Sequence, residues 1–322
     1  MLKMSINPEI VFEGPTMGTR WNVRIAGGAR DDVPALQTAL QAAVQEVDAQ
    51  MSTWRDDSDL MRFNAAPTGV WVTLPRALIH VLGAGIAISN ATGGAFEMNI
   101  GDAVRAWGFN ADQADLAAIK TASANARPRA SEALRLEAGL GRAMKTAPLA
   151  LDLSGIAKGF GVDRLAVVLG GLGIKNALCA IDGELRALGR QASGAPWPVA
   201  IEGPDLEAID GDRDGMARQN SVLELAEGAV ATSGDYRHFV TVKGQRLSHT
   251  FDPRSGAPLI GAPASVTVLA PTCVQADAMA TALMVMGPKT GLDYARQNGI
   301  SALFVIRDAG ALKTLGTGHF AG

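Results

Sequence analysis

Cysteine is scarce in this chain of 322 residues, which contains only Cys179 and Cys273. The two form neither a CxxC pair nor another metal-ligand spacing, so they predict no zinc site and no disulfide framework. Basic residues are not in excess either, because 29 Lys and Arg stand against 32 Asp and Glu, for a net charge of −3. This balance, without a polybasic cluster, excludes a typical nucleic-acid-binding or membrane-surface protein.

Long hydrophobic runs are missing as well. The most apolar stretches, such as ALIHVLGAGIAI from Ala77, are too short and too interrupted to cross a bilayer. The N-terminal MLKMSINPEIVFEG has no apolar core, no small-residue cleavage site and no early cysteine for a lipid. We therefore expect no membrane span. We expect a cytoplasmic protein for the sequence as given, or a periplasmic one if a leader has been removed.

Two familiar nucleotide-binding spacings are also absent. There is no GxxxxGK[ST], and GxGxxG fails because Gly159 and Gly161 are followed by Arg164 where the third glycine belongs. The segment SGIAKG from Ser154 nevertheless opens a predicted helix directly after a predicted strand. Such a helix start can offer free N–H groups and a lysine to a phosphate.

What the sequence contains is typical of a soluble globular protein, with 48% hydrophobic and 19% charged residues. We predict helices over 33–48, 75–90 and 155–169, surface elements over 119–146, and a long loop or insertion over 191–220. The predicted strands are 20–26, 149–153, 176–189, 221–225, 237–243, 264–270 and 301–306. Several strands follow each other without a helix between them, which favours antiparallel pairing and an α+β class.

The segment PTCVQADAMATALMVMG predicts a buried helix with two polar residues on one side. Thr272 and Gln275 have capping-box spacing, and Gly287 with Pro288 is expected to end the helix. Asp277 and Thr281 lie one turn apart and therefore share a face. Two hard oxygens at this spacing suit Mg²⁺. The alternative is that Thr281 bonds a backbone carbonyl and Asp277 lies on a solvated edge.

Among the four histidines, His249 is the candidate general base. It lies in LSHTFDPRSG, between a predicted strand and a turn, where a cleft could hold it and Asp252 could orient its ring. The alternative is a structural histidine that bonds the turn. His80 fits an apolar helix, His238 has no evident partner in the sequence, and His319 is close to the C-terminus.

Eight motifs in order resemble the ApbE-type FAD:protein FMN transferases, and the resemblance covers nearly the whole chain. They are MGT (from Met17), MSTW…DSDL…FN (from Met51), GGAFE…WGF (from Gly93), LDLSGIAKGFGVD (from Leu151), DGELRALG (from Asp182), ATSGDY (from Ala231), SHTFDPRSGAP (from Ser248) and ADAMATAL (from Ala276). Each is weak by itself, but the ordered set is specific. The resemblance implies a single domain over 1–322, or two interleaved subdomains within it, with an ApbE-like, T-fold-like architecture of largely antiparallel sheets and flanking helices.

The resemblance also implies an activity. Such enzymes use Mg²⁺ to cleave FAD, release AMP and attach FMN to a threonine or serine hydroxyl of a target protein. The target is typically a subunit of a membrane redox complex with a short [ST]-G-[AS]-T-like motif. The metal ligands implied here are Asp277, Thr281 and the backbone carbonyl of Gly155, and His249 is the implied base. The implied FAD contacts are Met17, Trp54, Ala95, Phe96, Glu97, Asp152, Lys158 and the segment around Phe251.

Several residues depart from the family pattern. Trp54 stands where tyrosine is usual, Glu97 stands for the aspartate of GAFD, Met98-Asn99 stands for the usual Pro-Thr, and Asp182 stands for the first glycine of N-x-G-G. These changes put flavin affinity, hydrogen bonding at GAFE and acceptor preference in question. Two other functions therefore stay open: a Mg²⁺-dependent FAD pyrophosphatase that yields FMN and AMP, and a non-catalytic flavin-binding member of the family.

Overall fold

The computed structural model describes residues 9–27, 32–109, 113–124, 127–203, 218–235, 239–242, 245–308 and 311–321. Within these ranges helices combine with sheets whose paired strands are all antiparallel, which confirms the predicted α+β class. None of the helices in these ranges is long and apolar enough to cross a membrane.

The helices, in chain order, are α1 (Val33–Met51), α2 (Asp59–Ala65), α3 (Arg76–Ala91), α4 (Gly101–Ala106), α5 (Leu116–Ala124), α6 (Ala130–Ala133), α7 (Ala157–Gly171) and α8 (Cys273–Gln297). The strands are β1 (Ile10–Thr16), β2 (Thr19–Ile25), β3 (Trp71–Thr73), β4 (Leu134–Glu137), β5 (Arg142–Lys145), β6 (Ala177–Ile181), β7 (Glu184–Leu188), β8 (Trp197–Gly203), β9 (Arg218–Leu225), β10 (Gly228–Gly234), β11 (Phe239–Val242), β12 (Gln245–Ser248), β13 (Phe251–Asp252), β14 (Ala257–Pro258), β15 (Ser265–Ala270), β16 (Ser301–Asp308) and β17 (Ala311–Gly316). Short 3₁₀ turns lie at Ala138–Leu140 and Gly318–Phe320.

The main sheet is open and, in the described part of the chain, has eight strands in the order β1-β2-β6-β7-β10-β15-β16-β17. The strands of this sheet contribute to a core on each face, because the pleat sends alternate side chains to opposite faces. Trp21 on β2 and Cys179 on β6 face α1 and α7, where they join a cluster with Leu40 and Leu165. Leu178, on the other face of β6, packs against the β8–β9 hairpin. The sheet therefore carries helices on one face and a hairpin on part of the other.

A second core surrounds α3 and the small sheet, whose strand order is β3-β5-β4. It joins residues of α1, α2 and α3 to the first turn of α7 and to α8. The helices α7 and α8 thus contact both cores, so residues at their junction are held from two sides.

Several element predictions are wrong in detail. Residues 149–153 belong to no strand; Asp152 N–H donates to Met98 O and Leu151 N–H donates to Asn64 Oδ1, each at 2.8 Å. Residues 176–189 form a hairpin of β6 and β7 rather than one strand, because the chain reverses at Asp182 and Gly183. The predicted loop over 191–220 contains all of β8 and the start of β9. The expected surface region over 119–146 buries Leu134 and Ala143.

The predicted N-terminal cap and end of α8 are also wrong. Thr272 makes no side-chain capping bond, because Asp163 of α7 takes that place. Gly287, with φ 74°, kinks the helix instead of ending it, and α8 continues to Gln297. A kink fits a Gly-Pro pair, since Pro288 removes one backbone donor. His238, Tyr236 and part of the predicted insertion lie outside the described residues.

Candidate active site

A cavity of about 1540 Å³ lies where α7 and α8 meet the main sheet. The predicted site residues that it brings together are up to 264 positions apart in the sequence, from Met17 to Thr281. Its lining includes eleven of the twelve predicted site residues: Met17, Trp54, Ala95, Glu97, Asp152, Gly155, Lys158, His249, Phe251, Asp277 and Thr281. The exception is Phe96, which is buried in the core around α3.

The floor of the cavity depends on a close approach between α7 and α8. A Cβ atom on Gly159 would lie 2.4 Å from the Cys273 carbonyl oxygen and 2.8 Å from Asp277 Cβ, so only glycine fits. At this contact the Gly159 N–H donates to Asp277 Oδ2 at 2.9 Å. A backbone donor in the first turn of α7, which the helix itself does not use, therefore holds the carboxylate of α8.

Asp277 is buried, with 4% of its surface exposed, which rules out the alternative of a solvated edge. Burial raises the pKa of its carboxyl to about 6, while the positive charge of Lys158 and the Gly159 bond oppose that rise. A carboxylate in this position gains from a cation beside it, because its charge has lost most of its hydration.

Thr281 and Gly155 line the cavity together with Asp277. The Thr281 hydroxyl lies 3.2 Å from Ser233 Oγ at the end of β10. A Cβ atom on Gly155 would come within 3.0 Å of Thr281 Oγ1, so the missing side chain leaves this side of the hydroxyl accessible. Carboxylate, hydroxyl and carbonyl are the hard oxygen donors that Mg²⁺ takes, and these residues fit that ion. Among the described residues, no group of three or more His, Cys, Asp or Glu side chains forms a metal site, so the fit depends on this mixed set.

Lys158 carries the positive charge of the site. Its Nζ lies 3.0 Å from Glu184 Oε2 and 3.5 Å from Asp182 Oδ2, both at the β6–β7 turn. Burial alone lowers the pKa of Lys158, but attraction to Glu184, Asp277 and Asp182 exceeds that effect, so the pKa lies above its ordinary value. Glu184 is more deeply buried than Lys158, at 3% against 31% side-chain exposure, and its burial raises the pKa of its carboxyl to about 7. Lys158 therefore stays charged near neutral pH.

His249 lies on a fixed loop at the rim of the cavity. It is exposed, while its neighbours Ser248 and Thr250 are buried. The Thr250 N–H donates to Ser248 Oγ at 3.0 Å, and Thr250 O accepts from Leu259 N–H at 2.9 Å. This backbone arrangement turns the histidine outward, toward solvent and the cavity mouth.

Two predicted side chains have bonds inside the fold. The Glu97 carboxylate accepts from Ser89 Oγ, Asn99 N–H and Ala130 N–H, at 3.0, 2.8 and 2.9 Å. The Asp252 carboxylate is bound by the Arg254 guanidinium within its own turn, at 3.0 Å. Glu97 thus stabilises the AFE turn through these three hydrogen bonds, and Asp252 stabilises the loop after His249.

Aromatic rings also line the cavity. Trp54 is 63% exposed, so one face of its indole is available to a ligand. Phe251 is buried and meets Phe109 edge to face, with ring centroids 5.4 Å apart. A planar heteroaromatic ligand can stack on an exposed ring of this kind.

Sequence reasoning missed Glu184 and Ser233, although both lie in motifs that the resemblance rests on, DGELRALG and ATSGDY. Glu184 pairs with Lys158, and Ser233 contacts Thr281. The signal for Glu184 was a carboxylate at the start of a short strand that also contains Leu185, Ala187 and Leu188, since a buried carboxylate usually requires a partner.

Solved structures share this fold over nearly the whole chain. The flavinyl transferase ApbE of Pseudomonas stutzeri in its apo form superposes with a TM-score of 0.84 at 34% identity, covering 98% of this chain and 96% of that one. The flavin transferase ApbE of Vibrio cholerae superposes with a TM-score of 0.83 at 33% identity, covering 97% of each chain. The fold is therefore that of the flavin transferases.

Sequence comparison leads to the same class. A FAD:protein FMN transferase of Vibrio cholerae is 35% identical over 317 residues, which are 97% of this chain and 92% of that protein. One from Klebsiella pneumoniae is 33% identical, covering 94% and 86%. The profile of the ApbE family matches residues 17–304. The chain belongs to the ApbE family, and the predicted family and enzyme class are confirmed.

Proposed function

We propose that this protein uses Mg²⁺ to transfer the FMN moiety of FAD to a threonine or serine hydroxyl of a target protein, with release of AMP. The observation that carries the proposal is the charged Lys158 beside Asp277, Thr281 and Gly155, in a cavity that also contains Trp54. This arrangement suits a ligand with a diphosphate at its centre and a flat ring at one end. The names of the curated relatives support the same reaction.

Asp277, Thr281 and the Gly155 carbonyl are the residues that would hold the metal. When bound there, Mg²⁺ supplies charge neutralisation for the diphosphate and for the departing AMP. Lys158 acts in the same direction, since its ammonium group is held at the floor of the cavity by Glu184 and Asp182. Its position is set before substrate arrives, which is what electrostatic catalysis requires.

The reaction exchanges one phosphorus–oxygen bond for another. The acceptor hydroxyl oxygen attacks the phosphorus of the FMN half, and the bond from that phosphorus to the bridging oxygen breaks. The bridging oxygen leaves with AMP, and the hydroxyl proton passes to a base. We assign that base to His249, because a neutral imidazole accepts a proton near pH 7 and this residue lies at the cavity mouth, where a protein acceptor arrives.

The acceptor is a protein segment with a reactive hydroxyl. We propose an [ST]-G-[AS]-T-like motif in a subunit of a membrane redox complex, as the resemblance implies. An exposed base at the rim is compatible with a macromolecular acceptor, since a buried base would be reached only by small molecules such as water.

The test combines FAD, Mg²⁺ and an acceptor carrying the threonine motif, followed by the intact mass of the acceptor and by AMP release. The acceptor is expected to gain the mass of FMN less one water, with one AMP formed for each transfer. His249→Ala is expected to lose transfer while it still quenches flavin fluorescence on binding FAD. His319→Ala, which changes an exposed histidine outside the cavity lining, is the matched control and is expected to transfer normally.

Two outcomes would reject these assignments. If AMP forms at the same rate with and without acceptor and the acceptor mass never changes, the protein is a FAD pyrophosphatase. If His249→Ala transfers FMN at the wild-type rate, the base is another residue.

A further inference from the structure

Asp163 is a buried carboxylate that the reaction above does not use. It lies on α7, has 8% of its surface exposed, and is not among the described residues that line the cavity. Burying a carboxylate costs free energy unless it is paired, so the contacts of Asp163 indicate its role.

Both oxygens of Asp163 hold the beginning of α8. Oδ1 accepts the Cys273 N–H at 3.0 Å, and Oδ2 accepts the Val274 N–H at 2.9 Å. The local residue Thr272 makes no such bond, and its buried hydroxyl has no hydrogen-bond partner. The cap of α8 is therefore supplied by a neighbouring helix, so it fixes the start of α8 relative to α7.

Asp163 also ties α7 to the main sheet. Arg186 on β7 donates to Asp163 Oδ1 at 2.6 Å, and two residues earlier on β7 Glu184 pairs with Lys158. Residues two apart on a strand face the same side, so β7 presents a negative and then a positive charge to α7. On α7 the order of the charges is reversed: the positive Lys158 comes first and pairs with Glu184, and the negative Asp163 follows and pairs with Arg186. Sliding α7 along the sheet would bring like charges together, so this ladder specifies one register.

We propose that Asp163 is a positioning residue that sets the metal ligands of α8 against Lys158 and Gly155 of the α7 segment. Asp277 lies four residues and Thr281 eight residues beyond Cys273, which places them about 6 and 12 Å along the axis from the residue that Asp163 holds. A shift at the capped end is carried to both, because a helix moves as a rigid body. The inference rests on the proposed function, in which Asp277 and Thr281 bind the metal.

The test measures metal binding directly, with Mn²⁺ as the probe and the electron paramagnetic resonance signal of free Mn²⁺ as the readout. Asp163→Asn keeps the size of the side chain, but its amide nitrogen cannot accept an N–H and its neutral group holds Arg186 less well. The variant is expected to bind Mn²⁺ at least about tenfold more weakly, a loss comparable to that seen when a hydrogen-bond partner of a metal ligand is removed. Asp115→Asn is the matched control, because Asp115 caps α5 through the N–H groups of Ala117 and Ala118.

The outcomes separate this inference from the proposed function. Asp277→Ala tests the metal site itself, and unchanged Mn²⁺ binding in that variant would reject the proposed function. If Asp277→Ala loses Mn²⁺ while folded Asp163→Asn binds it within twofold of wild type, the positioning role is wrong. If Asp163→Asn does not fold, as judged by circular dichroism, Arg186→Gln tests the same link from the sheet. Its Mn²⁺ affinity is expected to fall at least about threefold, and no change would overturn the inference.

Discussion

Replacing Asp277 by asparagine should make the metal-free protein more stable at pH 8 while destroying its response to Mg²⁺. Burial raises the pKa of this carboxyl from 3.8 to about 6, so its ionised form is disfavoured in the folded state. Asparagine resembles the protonated acid and can still accept the Gly159 N–H. The substitution therefore removes an unfavourable buried charge and leaves its hydrogen bond in place.

The size of the effect follows from the pKa. A rise of about two units corresponds to about 3 kcal/mol at most in the free energy of unfolding, at about 1.4 kcal/mol for each unit. Below pH 3.8 the carboxyl is protonated in both states and contributes no penalty. As the pH rises toward 6 the unfolded chain ionises first, so wild type loses stability over that window. With an unfolding entropy of about 2 cal/mol/K per residue, a gain of about 1–3 kcal/mol raises Tm by about 1–4 °C.

The assay is thermal unfolding of wild type and Asp277→Asn in EDTA and in Mg²⁺, from pH 5 to pH 8. The stability difference in EDTA should grow with pH and level off above about pH 6, and Mg²⁺ should raise the Tm of wild type only. Asp235→Asn is the control, and it is expected to lower the Tm rather than raise it. Asp235 is also buried, but its carboxylate is bound by two Arg307 nitrogens at 2.7 and 2.8 Å, so the substitution removes a paired charge. A variant that is less stable than wild type in EDTA at pH 8 would refute the burial argument.

Two further predictions concern the exposed ring of Trp54 and the contact between α7 and α8. Trp54→Ala should weaken FAD binding by about 1–3 kcal/mol, as measured by flavin fluorescence quenching, with little change in Tm because the ring is 63% exposed; equal affinity would argue against stacking. Gly159→Ala should separate α7 from α8, because its Cβ would lie 2.4 Å from the Cys273 carbonyl oxygen. We expect a loss of about 1–3 kcal/mol in the free energy of unfolding and loss of the Mg²⁺-induced rise in Tm, whereas Gly170→Ala, with no atom within 4 Å of the added Cβ, should keep that rise.

Local patterns were enough for many of the elements. The alternation of Trp21, Val23 and Ile25 predicted a half-buried strand, and these side chains do face the helices from β2. The predicted helices over 33–48 and 75–90 match α1 and α3 to within three residues at each end. Such elements could be predicted because the spacing of their apolar residues reflects which face packs against the core.

The failures occurred where a distant residue replaced a local signal. Thr272 and Gln275 had the spacing of a capping box, but Asp163 occupies the cap from another helix. Residues 149–153 read as a strand, but their backbone bonds go to loop residues such as Met98 and to the side chain of Asn64. Neither partner can be identified from the segment alone.

The sequence by itself determined the residue types of the site and the helical spacing that places Asp277 and Thr281 on one face. The order of its motifs was sufficient to predict the family. Only the tertiary structure decided that Asp277 is buried rather than solvated, that Glu184 holds Lys158, and that Gly159 brings α7 against α8. The reason is physical: spacing along one helix is local geometry, whereas burial and ion pairing depend on which distant segments pack together.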